Sequence, residues 1–482
     1  MELRLFLPET LLLTISVLLL CLTLAPRETV KKVLYPFLVI SSVTLVASCL
    51  AALRLSGDLF YSTYRVDGLS QGFKLLLSLA FLFTVFLSRS PVAIERSRQT
   101  EYYLFLSTSL LGMMMMTSAV DWLALYISME LSSYSLYLLA ALRNDKKSAE
   151  GSVKYLILGA AGSGVFLWGV SLVVGLSGTT SLLGLSAHPA LMTSPVFLLA
   201  MAFVSFAFLF KLSGFPMHFW APDVYESAAT PVVNFIATAS KAAAVAILIR
   251  VFLLVPPTGD IAALLAALAF VSMTLGNCVA LVQKDVKRLL AYSSIAQAGY
   301  LLIGLLTGSF EGLSSSFFYA IAYVLMNTAA FFVTVFVAKD ESQDNPQLSH
   351  FDGLAERSPF LALILLLSLL SLAGIPPLVG FTGKWILFSA AMDQGHWFLV
   401  LWAVLNSVVS LFYYLTLVKH AYLEKPRSDR PITVPLPMKA FGLLLILAMV
   451  FLGIFPNPVI QFTQGAIAQV SAREALVQAL PR

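Results

Sequence analysis

Long apolar stretches alternate with short polar connections along the whole chain, about once every 30 residues, and about 20 apolar residues suffice for one membrane crossing. The pattern predicts fourteen membrane-spanning helices, two of them interrupted by helix breakers. We place them at 7–25, 33–53, 69–88, 101–119, 121–142, 151–177, 195–228 (interrupted), 231–255, 260–283, 286–308, 313–338, 357–392 (interrupted), 396–423 and 435–458. The stretch GDLFYSTYRVDGLS from Gly57 alternates as a strand does and predicts a short external hairpin.

The composition supports this interpretation. Hydrophobic residues make up 59% of the 482 positions and charged residues only 11%, an excess of apolar sequence that no soluble core could bury. We therefore predict an all-α polytopic membrane protein surrounded by a lipid bilayer.

The distribution of Lys and Arg predicts the orientation of the helices. One set of alternate connections holds twenty basic residues, and the opposite set, counted with both termini and including Lys74 and Arg250, holds seven. Because basic residues are enriched on the cytoplasmic side, both termini are expected outside. The net charge of +5 follows from this asymmetry and requires no nucleic-acid partner.

Four charged residues inside predicted spans are of interest because they lie near mid-membrane or next to a helix break: Glu130, Lys211, Lys241 and Lys384. A cation at the centre of a bilayer costs about 3 kcal/mol on insertion scales, so such residues face the interior of a helix bundle and pair with one another. A buried lysine releases its proton more readily than one in water, and a nearby carboxylate opposes that release. The four residues are therefore candidates for a proton relay, for which Tyr134 and Tyr300 are candidate bridging hydroxyls.

Two of the lysines lie next to helix breaks. Gly214 and Pro216 interrupt the span that contains Lys211, and the pair 376–377, both proline, interrupts the span before Lys384. In transporters, broken helices mark ion pathways between structural repeats. Five spans separate the two breaks, so the broken helices are expected to cross the membrane in opposite directions, as an inverted repeat requires. His218 follows the first break, where it serves either as a relay or as a structural histidine.

The motifs KLSGFPMHFWAPDVYESAATPVVNFIATASK and LAGIPPLVGFTGKWILFSA resemble those of the antiporter-like membrane subunits of respiratory complex I, and in particular the N-type subunits. The resemblance covers nearly the whole chain. It implies two inverted five-helix bundles and a proton-translocating role in which Glu130 pairs with Lys211, Lys241 is the central lysine, and Lys384 follows the second break. The loop departs from N-type sequences at Glu226 or Ser227, where glycine is more common.

The resemblance also predicts a division of the chain and a set of partners. The expected parts are three N-terminal helices at 1–100, the first five-helix repeat at 101–255, the inverted second repeat at 256–423, and a last helix with its tail at 424–482. The expected partners are antiporter-like neighbours and the small membrane subunits that link to the quinone module of NADH-quinone oxidoreductase. The expected location is the bacterial inner membrane, with both termini in the periplasm.

No cofactor is expected in this chain. Cys21, Cys49 and Cys278 lie on separate spans without metal-ligand spacing, and no Gly-rich fingerprint for nucleotides is present. FMN, iron–sulfur clusters and quinone are therefore expected in partner subunits. Two alternatives remain open from the sequence: an Mrp-type cation/proton antiporter subunit, and a scaffold that only positions pumping neighbours.

Overall fold

The computed structural model describes residues 2–89, 94–143, 145–185, 191, 194–257, 259–341, 343–428 and 430–479. Eleven helices in this part of the chain are long and apolar enough to cross a membrane, and Leu7–Thr23 and Pro359–Ala373 are shorter apolar helices. The prediction of an all-α, multi-pass membrane protein is confirmed. The count of fourteen spans remains a prediction.

The helices follow one another as α1 (Glu2–Leu5), α2 (Leu7–Thr23), α3 (Arg27–Ala52), α4 (Gly68–Leu87), α5 (Gln99–Ser118), α6 (Trp122–Ala141), α7 (Lys146–Ser177), α8 (Leu182–Leu185), α9 (Pro195–Leu212), α10 (Trp220–Ser227), α11 (Thr230–Phe235), α12 (Lys241–Leu254), α13 (Gly259–Ala280), α14 (Val286–Leu306), α15 (Phe310–Asp340), α16 (Leu354–Arg357), α17 (Pro359–Ala373), α18 (Val379–Asp393), α19 (Trp397–Tyr422), α20 (Leu436–Ile454) and α21 (Asn457–Ala479). A π-helical turn, Ile236–Ser240, joins α11 to α12.

The predicted hairpin is confirmed, and its location outside the membrane on the external side remains a prediction. Strands β1 (Gly57–Leu59) and β2 (Tyr64–Val66) pair antiparallel, with Gly57 opposite Val66. The hairpin lies between α3 and α4 and packs against the first residues of the chain, where the Phe6 and Tyr64 rings meet edge to face with centroids 5.4 Å apart. This contact places the N-terminus on the same side as the hairpin.

Aspartate side chains set where several spans begin. Asp67, Asp121, Asp145 and Asp285 each accept a hydrogen bond from a backbone N–H in the first turn of the following helix. The cap at Asp145 starts α7 at Lys146, five residues before the predicted start. Burial raises the pKa of the Asp285 carboxyl, although the N–H of Arg288 favours its charged form.

The segment α11–π–α12 is the centre of the bundle. Over Thr230–Leu254 the whole apolar window is buried inside the protein. It packs against α4, α9, α14 and α15, so the side chains of this segment contact protein on all sides. A charged residue placed here cannot reach lipid headgroups or bulk water and must find its partners inside the bundle.

One helix contact occurs twice. Gly112 of α5 packs so closely on α6 that an added Cβ would lie 2.5 Å from Ser132 N and 2.7 Å from Ser128 O. Gly276 of α13 packs in the same way on α14, with 2.6 Å to Ala296 N and 2.7 Å to Tyr292 O. The glycine and its two contact residues in the second helix pair lie 164 residues after those in the first: 276 after 112, 292 after 128, and 296 after 132. The bundle therefore contains a repeated helix pair with a constant sequence offset.

The C-terminal segment is helical over most of its length. Beyond the last predicted span, α21 packs against α4 and α15. Gly68 and Gly72 of α4 allow this approach, since an added Cβ at either position would lie 3.1 Å from an atom of α21, in Ala466 and Phe462 respectively. Residues 480–482, at the end of the predicted last part, lie outside the described residues.

The assignment of Lys74 and Arg250 to the outer connections is wrong. Lys74 lies within α4 and Arg250 within α12, with side chains 0% and 1% exposed. Each has a carboxylate partner: Lys74 Nζ lies 2.6 Å from Glu9, and Arg250 binds Asp67 at 2.8 Å. A basic residue near the end of a span is compatible with burial when an acidic residue of another element packs against it.

Candidate proton-transfer site

The four charged residues predicted from the sequence are all buried. Their exposed fractions are 9% for Glu130, 3% for Lys211, 1% for Lys241 and 4% for Lys384. None of the four faces lipid or solvent, as expected of functional ions inside a bundle.

The first break places Lys211 in the last turn of α9. The helix ends at Ser213, which has a left-handed φ of +54°, and Gly214 N–H donates back to Leu209 O at 2.8 Å. This bond, with that from Ser213 N–H to Phe210 O, makes a Schellman motif, the usual way to close a helix with its terminal carbonyls satisfied. The chain therefore leaves the helix axis within two residues of Lys211.

Glu130 and Lys211 lie close together without a direct ion pair. The Glu130 carboxylate accepts a hydrogen bond from Ser163 of α7, and Lys211 Nζ donates to Ser132 Oγ of α6 at 3.4 Å. Lys211 is near enough to Glu130 for their charges to attract each other. A proton passing between them would need an intervening hydroxyl or water, for which Ser132 lies two residues along from Glu130.

Lys241 occupies the centre of the bundle. The π-helical turn that precedes it offsets the register of the central helix, and such turns are frequent at functional sites. Lys241 Nζ donates to the Ser294 carbonyl at 2.8 Å and also to its Oγ, and it lies 5.8 Å from the centroid of the Tyr323 ring. Among the described residues, Lys241 therefore has hydrogen-bond acceptors but no carboxylate in contact.

At the second break, Lys384 is bound by backbone carbonyls at the end of a helix. The helix α17 closes with a second Schellman motif, in which Gly374 has a φ of +89° and Ile375 N–H donates to Leu370 O at 3.0 Å. Lys384 Nζ donates to Leu372 O at 3.1 Å and Ala373 O at 3.2 Å. These carbonyls form the negative end of the helix dipole, which attracts a cation.

Polar groups connect the central lysine with the second break. One helical turn after Ser294, Gln297 Nε2 donates to the same Leu372 carbonyl that accepts from Lys384, at 3.1 Å, and Gln297 Oε1 accepts from the Tyr319 hydroxyl. Side chains on α14 thus link the surroundings of Lys241 to those of Lys384.

The candidate relay residues have different surroundings. Tyr300 is fully buried, and Lys384 Nζ lies 4.4 Å from its ring centroid. His218 is 3% exposed, and its Nδ1 has no hydrogen-bond partner in the described part of the chain. Tyr134 is 55% exposed and contacts the Tyr137 ring, so the structure does not bring it into the interior with the lysines.

Sequence reasoning missed several polar residues of this site: Ser163, Ser294, Gln297 and Ser407, whose Oγ accepts from Lys384 at 3.1 Å. A signal for one of them exists. Ser294 lies 164 residues after Glu130, the same offset that relates the two glycine contacts. The polar residue that holds Lys241 thus occupies, in the second repeat, the position of Glu130 in the first.

An aspartate holds the start of the central helix. Asp344 accepts from Thr230 N–H at 3.0 Å and from its hydroxyl at 2.7 Å, and it pairs with the fully buried Lys287 at 3.3 Å. The Asp344 carboxylate therefore fixes the N-terminus of α11, the helix that leads to Lys241.

Comparison with known proteins places this architecture in a family. The family model described as "NADH:quinone oxidoreductase/Mrp antiporter, TM" matches residues 119–410. NADH-quinone oxidoreductase subunit N 2 of Syntrophobacter fumaroxidans is 43% identical over 468 residues, which are 96% of this chain and 98% of that protein. Subunit N of Heliobacterium modesticaldum is 44% identical over 383 residues, 78% of each chain.

Solved structures give the same result. A chain of respiratory complex I from Thermus thermophilus with bound aureothin superposes with a TM-score of 0.83 at 35% identity, covering 95% of this chain and 100% of that one. A chain of the Mrp complex from Dietzia superposes with a TM-score of 0.85 at 20% identity, covering 99% of both, and shares the fold. By sequence and by structure, this chain belongs to the subunit N family of NADH-quinone oxidoreductase.

Proposed function

We propose that this chain is a proton-translocating membrane subunit of an NADH-quinone oxidoreductase, in which electron transfer in other subunits drives protons through Glu130, Lys211, Lys241 and Lys384. The observation that carries the proposal is the burial of all four charged groups in one helix bundle, each in contact with hydroxyl or carbonyl groups. Buried lysines held by neutral acceptors are able to give up a proton and take it back.

The repeated helix contact supports the proposed division of the chain. We assign three helices to 1–100, two inverted five-helix repeats to 101–255 and 256–423, and a C-terminal part to 424–482. The contact at Gly112 falls in the first repeat and its counterpart at Gly276 in the second.

We assign the redox chemistry to other subunits. In the described part of the chain, no three His, Cys, Asp or Glu side chains come together to hold a metal ion. FMN, iron–sulfur clusters and quinone belong, in this proposal, to partner subunits. The partners within the membrane are antiporter-like neighbours and the small subunits that lead to the quinone module. The chain lies in the bacterial inner membrane with both termini in the periplasm.

The test is purification of the native complex and its reconstitution into lipid vesicles. NADH oxidation by added quinone should be accompanied by proton uptake into the vesicles, and the Lys211→Ala complex should oxidise NADH with proton uptake strongly reduced. Copurification with flavin and iron–sulfur subunits is expected. Cation/proton exchange without NADH, together with the absence of those subunits, would favour the Mrp-type alternative. Unchanged pumping by the assembled Lys211→Ala complex would favour a scaffold.

A further inference from the structure

A buried ion pair lies apart from the four residues of the proposed pathway. Glu9, in the first turn of α2, and Lys74, in the second turn of α4, are both 0% exposed, and Nζ lies 2.6 Å from Oε1. The hydroxyl of Tyr64, from the external hairpin, donates to the same carboxylate oxygen at 2.6 Å. The pair therefore joins the hairpin to two helices outside the five-helix repeats.

Buried polar side chains continue from this pair along α4 and its N-cap. Asp67, Gln71, Lys74 and Ser78 are spaced by four, three and four residues, which places them on one face of the helix, and all four are buried. Asp67 at the outer end accepts from both terminal nitrogens of Arg250, at 2.8 and 3.0 Å. A polar face thus runs from the outer end of α4 to the Glu9–Lys74 pair.

Polar atoms around this face lack protein partners. In the part of the chain that the structure describes, Glu9 Oε2, both amide atoms of Gln71, Ser118 Oγ and Arg250 Nε have no hydrogen-bond partner, and Lys74 Nζ has no well-aligned acceptor despite its contact with Glu9. Leaving such a group unsatisfied costs about 1–3 kcal/mol. Atoms of this kind, donors and acceptors together, are suited to bind internal water, which makes two to four hydrogen bonds.

We propose that Glu9 and Lys74, with Gln71 and Tyr64, form a hydrated proton-exchange site on the outer side of the membrane, distinct from the Glu130–lysine pathway. In the exchange, the Lys74 ammonium gives a proton, directly or through bound water, to the Glu9 carboxylate, which leaves a neutral amine and a neutral acid. The reverse transfer restores the pair. This inference rests on the proposed proton translocation. It adds to it a site for proton exchange on the outer side of the membrane.

The position of the site suits exchange with the outer aqueous phase. Lys74 is six residues past Gly68, which at 1.5 Å per residue puts it about 9 Å along α4 from the hairpin side. Arg250 lies nine residues after Lys241 on the central helix, about 14 Å further toward that side. The Asp67–Arg250 pair thus connects the outer end of the helix that carries Lys241 to the polar face of α4.

A purely structural ion pair gives a different expectation. Such a pair stabilises best when its remaining lone pairs and protons are satisfied by protein groups, and no described residue does this for Glu9 Oε2 or the Gln71 amide. A structural pair is also replaceable by uncharged groups of similar size, whereas a proton-exchange site is not.

The test uses the intact complex in lipid vesicles and the variants Glu9→Gln, Lys74→Met and the double variant. The double variant leaves no unpaired ion, so its assembly is expected. We expect all three to lose proton uptake per NADH oxidised. We also expect the wild type to show a carboxylic-acid C=O band in redox-induced infrared difference spectra that is absent from Glu9→Gln and retained in the surface variant Glu311→Gln. Normal proton uptake by the assembled double variant would overturn the proposal.

A high-resolution map of the native complex provides a measurement without variants. Ordered water within hydrogen-bond distance of Glu9 Oε2 is expected, and a dry, closely packed site would contradict the proposal.

Failure of the outer site and failure of the proposed function give different results. If Lys241→Arg abolishes pumping while the Glu9 and Lys74 variants pump normally, only the outer site is refuted. If Lys241→Arg pumps normally, the central pathway itself is refuted.

Discussion

The Lys384 ammonium lies 3.1 Å from the carbonyl oxygen of Leu372, on the helix that ends at the second break. The same carbonyl accepts from Gln297, so one backbone oxygen is shared by a candidate proton carrier and a side chain of α14. Carbonyl groups in the last turn of a helix have no backbone N–H partner within the helix, and Lys384 donates hydrogen bonds to them instead. Its position therefore depends on the backbone conformation at the break.

Gly374→Ala tests this dependence. Gly374 has a φ of +89°, and an added Cβ would lie 3.1 Å from Lys384 Cδ, so the substitution combines backbone strain of about 1–2 kcal/mol with displacement of the lysine. We expect an assembled complex with reduced proton uptake. Gly395→Ala is the matched control, since Gly395 also has a positive φ, +82°, but no atom of the described residues lies within 4 Å of an added Cβ. Equal effects of the two substitutions would argue against a specific role for the Lys384 position.

Glu130→Gln tests the carboxylate. The glutamine Oε1 is still able to accept the hydrogen bond from Ser163, but the side chain neither carries a negative charge nor takes up a proton. We expect normal assembly and loss of most proton uptake in vesicles. Glu311→Gln, at an exposed position in the first turn of α15, should leave uptake unchanged. Full pumping by the Glu130 variant would remove this residue from the pathway.

Lys241→Arg separates a proton carrier from a fixed cation. A guanidinium keeps the positive charge beside Ser294 but does not deprotonate in the working pH range. We expect the complex to assemble, to oxidise NADH at a reduced rate, and to lose most of its proton uptake. Lys154→Arg, at a side chain 45% exposed, is the control and should behave as the wild type. A pumping Lys241→Arg complex would mean that Lys241 acts only as a fixed charge.

Asp344→Ala tests the contacts by which Asp344 binds Thr230 and Lys287 at the start of α11. The substitution removes two hydrogen bonds to Thr230 and leaves the fully buried Lys287 without its carboxylate, a change that typically costs about 3–5 kcal/mol. We expect less assembled complex and a lower thermal midpoint, measured by native gel and by a melting assay in detergent. Asp260→Ala, at an exposed position in the first turn of α13, should change neither. An Asp344→Ala complex as stable as the wild type would show that the Asp344 contacts are not needed for stability.

The sequence by itself determined the class of the fold and the candidate charges. Hydrophobic length and composition predict membrane helices because the bilayer allows little else, and charges inside those helices stand out because burying them is costly. The breaks at Gly214 and at positions 376–377 were identifiable for the same reason, since glycine and proline interrupt helices through local geometry. The two breaks, five spans apart, also predicted an inverted repeat, whereas the 164-residue offset from Gly112 to Gly276 was found from the close glycine contacts in the structure.

Only the tertiary structure decided which groups meet. Lys74 looked like an ordinary basic residue near a span end, and its pairing with Glu9, 65 residues earlier in the sequence, depends on how the folded chain places α2 relative to α4. Tyr134 was a candidate bridging hydroxyl on the same predicted span as Glu130, yet the packing of α6 leaves it largely exposed. Ser294 carries no charge, and its role as the acceptor for Lys241 follows from the contact between α12 and α14. Periodicity along one helix shows which residues share a face, but the partner of that face is set by how the helices pack.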